Sequence, residues 1–275
     1  MPALLAVLSS LLWGSADFGG GLVSRRLPAP AVVAWSQFAG LLGAGAVVVA
    51  TSAWRGPSGW LPWAPLAGAA GGLALMAFYL ALASGRMSVV SPIASLGVLV
   101  PVLGGLTAGD RPSGWQWGGM LLAVAGAFAA CGPELQGAAG RRSVLLAALA
   151  GVGFGVALFL LARGSRANPA MTMVGMRATS VGGFALAGLV RRTAGGVAPA
   201  DLPALAAVGV ADVGANLLFG TASREGMLSV VAVLGGLYPV ATVLLARIVL
   251  RERLAPLQRV GVVGALGGVV LLTAG

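Results

Sequence analysis

Gly226-Met-Leu-Ser-Val-Val231 and the following Val233-Leu-Gly-Gly-Leu-Tyr-Pro239 decide how this chain is read. Both have counterparts in the first half, Gly85-Arg-Met-Ser-Val-Val90 and Ser95-Leu-Gly-Val-Leu-Val-Pro101, the second after a three-residue shift. The likeness extends outward in the same order. Phe78 and Phe219 precede the paired stretches at one offset, and Asp110-Arg111 corresponds to Glu252-Arg253. Gly119 and Gly126 match Gly261 and Gly268, and Trp13-Gly14 matches Phe154-Gly155 more weakly. Helices rich in Ala, Gly and Leu align by accident, but ordered matches that include proline and acidic residues point to a duplication.

The repeated unit is apolar. Of 275 residues, 58% are hydrophobic and only 9% charged, and the mean hydropathy is +0.97. A soluble domain carries roughly 25% charged residues, so this chain cannot coat a water-facing surface. Apolar runs bounded by Arg, Pro or Gly fall near 3–23, 31–53, 62–84, 88–108 and 114–131. A second set falls near 143–163, 170–190, 202–223, 228–249 and 256–273. Each approaches the roughly 20 residues that cross a bilayer. The pattern predicts an all-α membrane protein of ten transmembrane helices, with five-helix repeats at 1–132 and 143–275 and a linker at 133–142. Five is odd, so the second repeat enters from the opposite side, an inverted plan that recurs in secondary transporters.

The punctuation has mechanisms. Asn168-Pro169 and Asp201-Leu202-Pro203 supply an N-cap and a proline in the first turn, and Ser113 caps the fifth helix. Trp54, Trp60 and Trp63 flank the second connection, where amphipathic rings favour the headgroup layer. The apolar start has no basic residue before Asp17, so it reads as the first span rather than a cleaved leader.

Composition also excludes. The formal charge is +10, but the 17 basic residues are all Arg, scattered between apolar runs, with no patch that tracks a phosphate backbone. Cys131 is the only cysteine, which removes an intrachain disulfide and a Cys-based metal site. There is no Lys and so no phosphate-binding Gly-Lys loop; energy would come from a gradient. No cofactor or metal is expected.

Asp212 and Asn216 share one face of the eighth span. A carboxylate at bilayer depth persists mostly where it faces a cavity or a partner. It reads either as a substrate or proton site, or as half of a structural pair with Arg177. Asp17 lies one turn after Trp13, setting a carboxylate beside an aromatic wall, or alternatively at a hydrated span end. Together the two carboxylates suit a cationic or zwitterionic solute, or a carried proton. Pro101 with Gly97, and Pro239 with Gly235 and Gly236, predict breaks in the fourth and ninth spans that open backbone to a cavity. Tyr79, Phe154, Phe219 and Tyr238 are candidate wall residues. Asp110 and Glu252 read as complements to the dipoles of the fifth and tenth helices.

Here the residues resemble a family. Ser229-Val-Val through Leu234, Tyr238-Pro-Val-Ala-Thr242, Leu250-Arg-Glu252-Arg-Leu and Gly261 are similar to the second EamA domain of the drug/metabolite transporter superfamily. The first half resembles a more divergent copy, on Trp13-Gly14, Pro101 and Asp110. The first half departs in being four residues shorter between Pro101 and Asp110, and in having Asp where Glu is usual. The resemblance implies a ten-helix carrier whose central cavity is lined by the first, third and fourth helices of each half. It would be a multi-pass protein of the cell (plasma or inner) membrane that exports a small metabolite, amino acid or drug-like solute by alternating access.

Expected partners are the small-molecule substrate, a coupling proton, the lipid bilayer and a second copy of the chain, with no nucleic acid. Two other classes compete. An intramembrane enzyme would need a Ser–Asp arrangement or an aspartyl dyad, for which Asp17 and Asp212 are the candidates, with no His, Lys or Cys pair to help; none is expected. A lipid translocator would show a groove open sideways to lipid, and a noncatalytic subunit a sealed bundle. Odd-numbered connections hold 11 Arg against 5 on the even-numbered ones, which places both termini outside, whereas the resemblance implies cytoplasmic termini.

Overall fold

Lipid permits no unpaired backbone, so apolar runs of this length fold as helices. The structure, a computed structural model, describes residues 1–84, 87–132, 140–191, 196–251 and 253–274, apart from the side chains of residues 79, 82–84, 87–89, 91 and 191. The first half holds α1 (Pro2–Val23), α2 (Ala29–Thr51), α3 (Trp63–Ser84), α4 (Met87–Ser95), α5 (Leu99–Thr107) and α6 (Gly114–Ala130). The second holds α7 (Arg141–Ser165), α8 (Pro169–Arg191), α9 (Leu202–Glu225), α10 (Leu228–Gly235), α11 (Tyr238–Val249) and α12 (Pro256–Ala274). No strand occurs among the described residues.

Seven segments are long and apolar enough to cross a membrane: α1, α2, α7, α8, α9, α12 and the α10–α11 pair. Among the described residues α3 and the α4–α5 pair contribute the apolar stretches Trp63–Phe78 and Pro92–Thr107, and α6 has 17 residues. Large side chains such as Leu73, Leu149, Leu189 and Val263 stand exposed around the bundle. Such a belt is unstable against water and comfortable against acyl chains.

The helix ends follow their local chemistry, with two corrections. Ser113 and Gln116 form a reciprocal capping box at α6, and Asn168 Oδ1 accepts from Met171 N–H at 3.1 Å to cap α8. Asp201 does not cap α9 through its side chain; its carboxylate turns back to Ala198 N–H at 3.2 Å and to Arg26 at 3.7 Å. Asp110 does not serve its own helix either. Its Oδ2 accepts from Ser229 N–H at 2.8 Å, so it caps α10 in the other half. Glu252 and the expected linker, except residue 140 and the start of α7 at Arg141, lie outside the described residues.

Packing runs almost entirely between the halves. The α1 helix lies against α9, with Ser9 Oγ donating to Ala215 C=O at 2.8 Å and Gly19 beside Val208, which makes them antiparallel. In the same way α7 lies antiparallel to α3, with Gly71 beside Ala157 and Ser143 Oγ donating to Ala81 C=O. The α2 helix packs on α8 and α9, α3 packs on α8, and α6 packs on α12. Swapping the halves maps this pattern onto itself. Followed from neighbour to neighbour, the helix directions make α7 run opposite to α1.

The repeated glycines explain the closest crossing. A Cβ on Gly126 would strike the backbone of Gly261 and Ala265, and one on Gly119 would meet Gly268 and Leu272. Small residues let α6 and α12 approach backbone to backbone.

The fourth and ninth spans are both interrupted. A 3-10 turn over Leu96–Val98 joins α4 to α5, and Gly236 and Leu237 separate α10 from α11. The prolines themselves do not break helices: Pro101 and Pro239 are the third and second residues of α5 and α11. In a first turn the missing N–H removes no helical bond, so proline starts the new helix after the interruption.

Candidate functional site

Trp13 and Asp17 lie four residues apart on one face of α1, and Asp212 and Phe219 lie seven apart on one face of α9. Because the two helices are antiparallel, these faces look into the same space, which α11 closes with Tyr238. The ring of Trp13 meets that of Phe219 at 5.5 Å and that of Tyr238 edge-on at 6.4 Å. Phe219 is fully buried and backs the Trp13 ring rather than lining a cavity. Asp17 is exposed although it lies on the face of α1 away from the exposed Leu4, Leu8 and Leu11, as a group lining a cavity does. It lies within electrostatic reach of Asp212 and of Tyr238. Among the described residues Asp17 has no hydrogen-bond or ion-pair partner.

Asp212 is held differently. Arg177 on α8 donates from one terminal nitrogen to Asp212 Oδ2 and from the other to Gln37 Oε1 on α2. Ser180 Oγ donates to the same Gln37 oxygen at 3.0 Å. Asn216 Nδ2 donates to the Asp212 backbone carbonyl at 2.7 Å and to its Oδ1 at 3.2 Å. Arg177 is only 3% exposed, which a guanidinium tolerates in a dry interior only with a carboxylate and hydrogen-bond acceptors around it. Asn216 is 4% exposed and acts on Asp212, not on the cavity. The pairing of Asp212 with Arg177 was one of its two sequence readings.

Gln37 and Ser180 have no place in the sequence reading. Gln37 and Arg177 are each the ninth residue of their helices, α2 and α8, which face each other across the repeat. Two long polar side chains at equal depth in corresponding apolar helices were the available signal.

The α3–α7 interface builds the same frame without the charge. Phe154 on α7 meets Phe78 on α3 edge-on at 6.0 Å, as Trp13 meets Phe219. A Cβ on Gly14 would strike Ala241 and the Tyr238 carbonyl at the start of α11, and one on Gly155 would strike Gly97 and Val100 at the α4–α5 turn. Each first helix thus presses a glycine onto the break in the opposite half. The breaks are correspondingly packed: Gly97, Pro101 and Gly235 are buried, Gly236 and Pro239 partly so. A void of about 10 Å³, near the size of one water, lies where Ser95 and Leu96 approach Val233 and Gly236. The side chain of Tyr79 lies outside the described residues. No group of three His, Cys, Asp or Glu that could hold a metal ion comes together among the described residues.

A comparison with curated proteins finds no match. A solved crystal structure of a protein 21% identical in sequence superposes with a TM-score of 0.81, over 99% of this chain and 96% of its own. That likeness establishes the fold. The model of the EamA-like transporter family matches twice, at residues 1–131 and again at 141–274, one match on each of the halves that pack against each other here. The chain is a multi-pass membrane protein of the EamA-like transporter family.

Proposed function

We propose that this protein crosses the membrane ten times, as two inverted five-helix units, and carries a small metabolite, amino acid or drug-like solute by alternating access. The observation that carries this reading is a contact between the halves that closes one face of a symmetric frame. On the face that holds the chain termini, α5 packs on α10, and Asp110 bonds the first turn of α10. Exchange of the halves relates that pair to α11 and α4 on the opposite face, where Glu252 and residues 85–86, the counterparts of Asp110 and of the turn before α10, lie outside the described residues. Asp17 is exposed, and it lies nearer that opposite face, towards the end of α1. Forming the α4–α11 contact while releasing α5 from α10 would present the cavity to the other face.

In this reading Asp17 is the coupling carboxylate, exchanging a proton for substrate. The ionisable groups facing it are Asp212 from α9, with Arg177 behind it, and Tyr238 from α11. Transport runs outward across the plasma or inner membrane. Purified protein in liposomes should drive pH-gradient-dependent counterflow of a solute from a panel of amino acids, nucleosides, sugars and drug-like cations. Flux no greater than in protein-free liposomes across the panel would remove the proposal, and accumulation in everted but not right-side-out vesicles would support export.

A lipid translocator is the second reading, and one feature favours it. A cleft of about 590 Å³ runs between α1 and α9 on the far side of α1 from Trp13, past Ser15, Gly19, Ala207 and Ala211 to Arg26. Fluorescent-lipid flipping in the same liposomes separates the two.

A further inference from the structure

The transporter reading leaves the solute unnamed, and the charges around the cavity narrow it. Three ionic side chains meet there: Asp17, Asp212 and Arg177. Arg177 and Asp212 cancel, so the cavity carries one uncompensated negative charge, on the only one of the three with no partner among the described residues. A lone carboxylate at bilayer depth is unfavourable unless a cation or a proton joins it. Beside it stand the rings of Trp13 and Tyr238, both partly exposed and set nearly perpendicular, at 72°. Aromatic faces attract organic cations through their ring electrons, and more so where water is scarce.

The same inventory discriminates against other charge types. A zwitterion brings a carboxylate that needs a cation of its own. Arg177 serves Asp212 and Gln37 instead: its terminal nitrogens bond those two groups, and its Nε, which has no partner among the described residues, is buried away from the cavity's accessible surface. Arg26, in the connection after α1, lies at the outer cleft and pairs with Asp201. An anion would meet Asp17 directly.

We propose that this cavity selects solutes with one positive charge and an aromatic or apolar body over zwitterions, neutral molecules and anions. Asp17 is the counter-charge, Trp13 and Tyr238 are the walls, and Arg177 is a positioning residue that withdraws Asp212 from the charge balance. The selection rests on the transporter reading only for its consequence in transport, since binding is measurable by itself.

A matched series tests it on the purified full chain: 2-phenylethylammonium, phenylalanine, 2-phenylethanol and 3-phenylpropionate, which share a ring and differ in charge. Wild type should bind the cation about tenfold or more tighter than the other three by calorimetry. Asp17→Asn should bring the cation down to the level of phenylethanol, and Asp17→Glu should keep most of the preference. Trp13→Leu should weaken the cation about three- to tenfold and phenylethanol less. Phenylalanine binding as tightly as phenylethylammonium, or a preference that survives Asp17→Asn, overturns the proposal; if Asp17→Asn does not fold, the wild-type series and Asp17→Glu decide it. Proteoliposomes that move phenylalanine in preference to the amine overturn cation selection and leave the transporter standing. Cation-selective binding without flux of any solute does the reverse.

Discussion

The α1–α9 and α7–α3 interfaces are the same object built twice, and they differ in one respect. Each has an antiparallel helix pair, an aromatic on the first helix against a phenylalanine on the third, and a glycine pressed onto the broken span of the other half. Only the α1–α9 side carries carboxylates. The residue one turn after Trp13 is Asp17, and the residue one turn after Phe154 is Leu158, partly buried in the apolar core. Asp212 lies seven residues before Phe219, and Gly71 lies seven before Phe78. Architecture is therefore symmetric and chemistry is not. Duplication supplies the frame, and a handful of substitutions in one copy sets the charge within it.

The comparison can be broken most severely at Arg177. Arg177→Met leaves the partly buried Asp212 without a cation, which should destabilise the protein by about 3–5 kcal/mol in denaturant unfolding in detergent. Adding Asp212→Asn should recover most of that loss. If the single variant is as stable as wild type, the pair is not what holds α8 against α9.

Leu158→Asp sharpens the contrast by giving the second interface the charge of the first. With no cavity partner prepared for it, the carboxylate should cost about 2.5–3.5 kcal/mol, read as a loss of folded yield and of thermal stability. Cation binding should remain at one site per chain. A second site of equal strength would show that the frame alone, not the surroundings of Asp17, makes the pocket.

The smallest effect tests the contact that closes the face of the termini. Asp110→Ala removes the acceptor for the first turn of α10, a change worth about 1 kcal/mol, and should shift the balance between the packed and released forms of that face about fivefold. Labelling of Val233→Cys by a membrane-impermeant maleimide, in a Cys131→Ala background, should speed up by that factor. Val233 is buried in α10, so an unchanged rate would separate Asp110 from the gate.

The sequence was readable where the bilayer leaves no choice. Lipid forces backbone bonds inside each segment, so apolar length alone located the helices to within about two residues, and odd-numbered repeats required inversion. The matched glycines at 119, 126, 261 and 268 were legible as close packing and turned out to face one another across α6 and α12. Side-chain destinations were less legible. Asp110 reads locally as a complement to the next helix, but its oxygen reaches a helix more than a hundred residues away. Pro101 and Pro239 mark the breaks only to within a turn, because proline tolerates the first positions of a new helix as well as forcing a kink.

The amino-acid order by itself determined that this chain lives in a membrane, that it is duplicated, and which few polar groups lie at depth, because burial in hydrocarbon penalises each of those features residue by residue. Only the tertiary structure decided that Asp212 is spent on Arg177 while Asp17 has no such partner among the described residues, and that Asp110 reaches across to α10. Those are facts about distances between segments, and ion pairing falls off over a few ångströms that no spacing along the chain encodes.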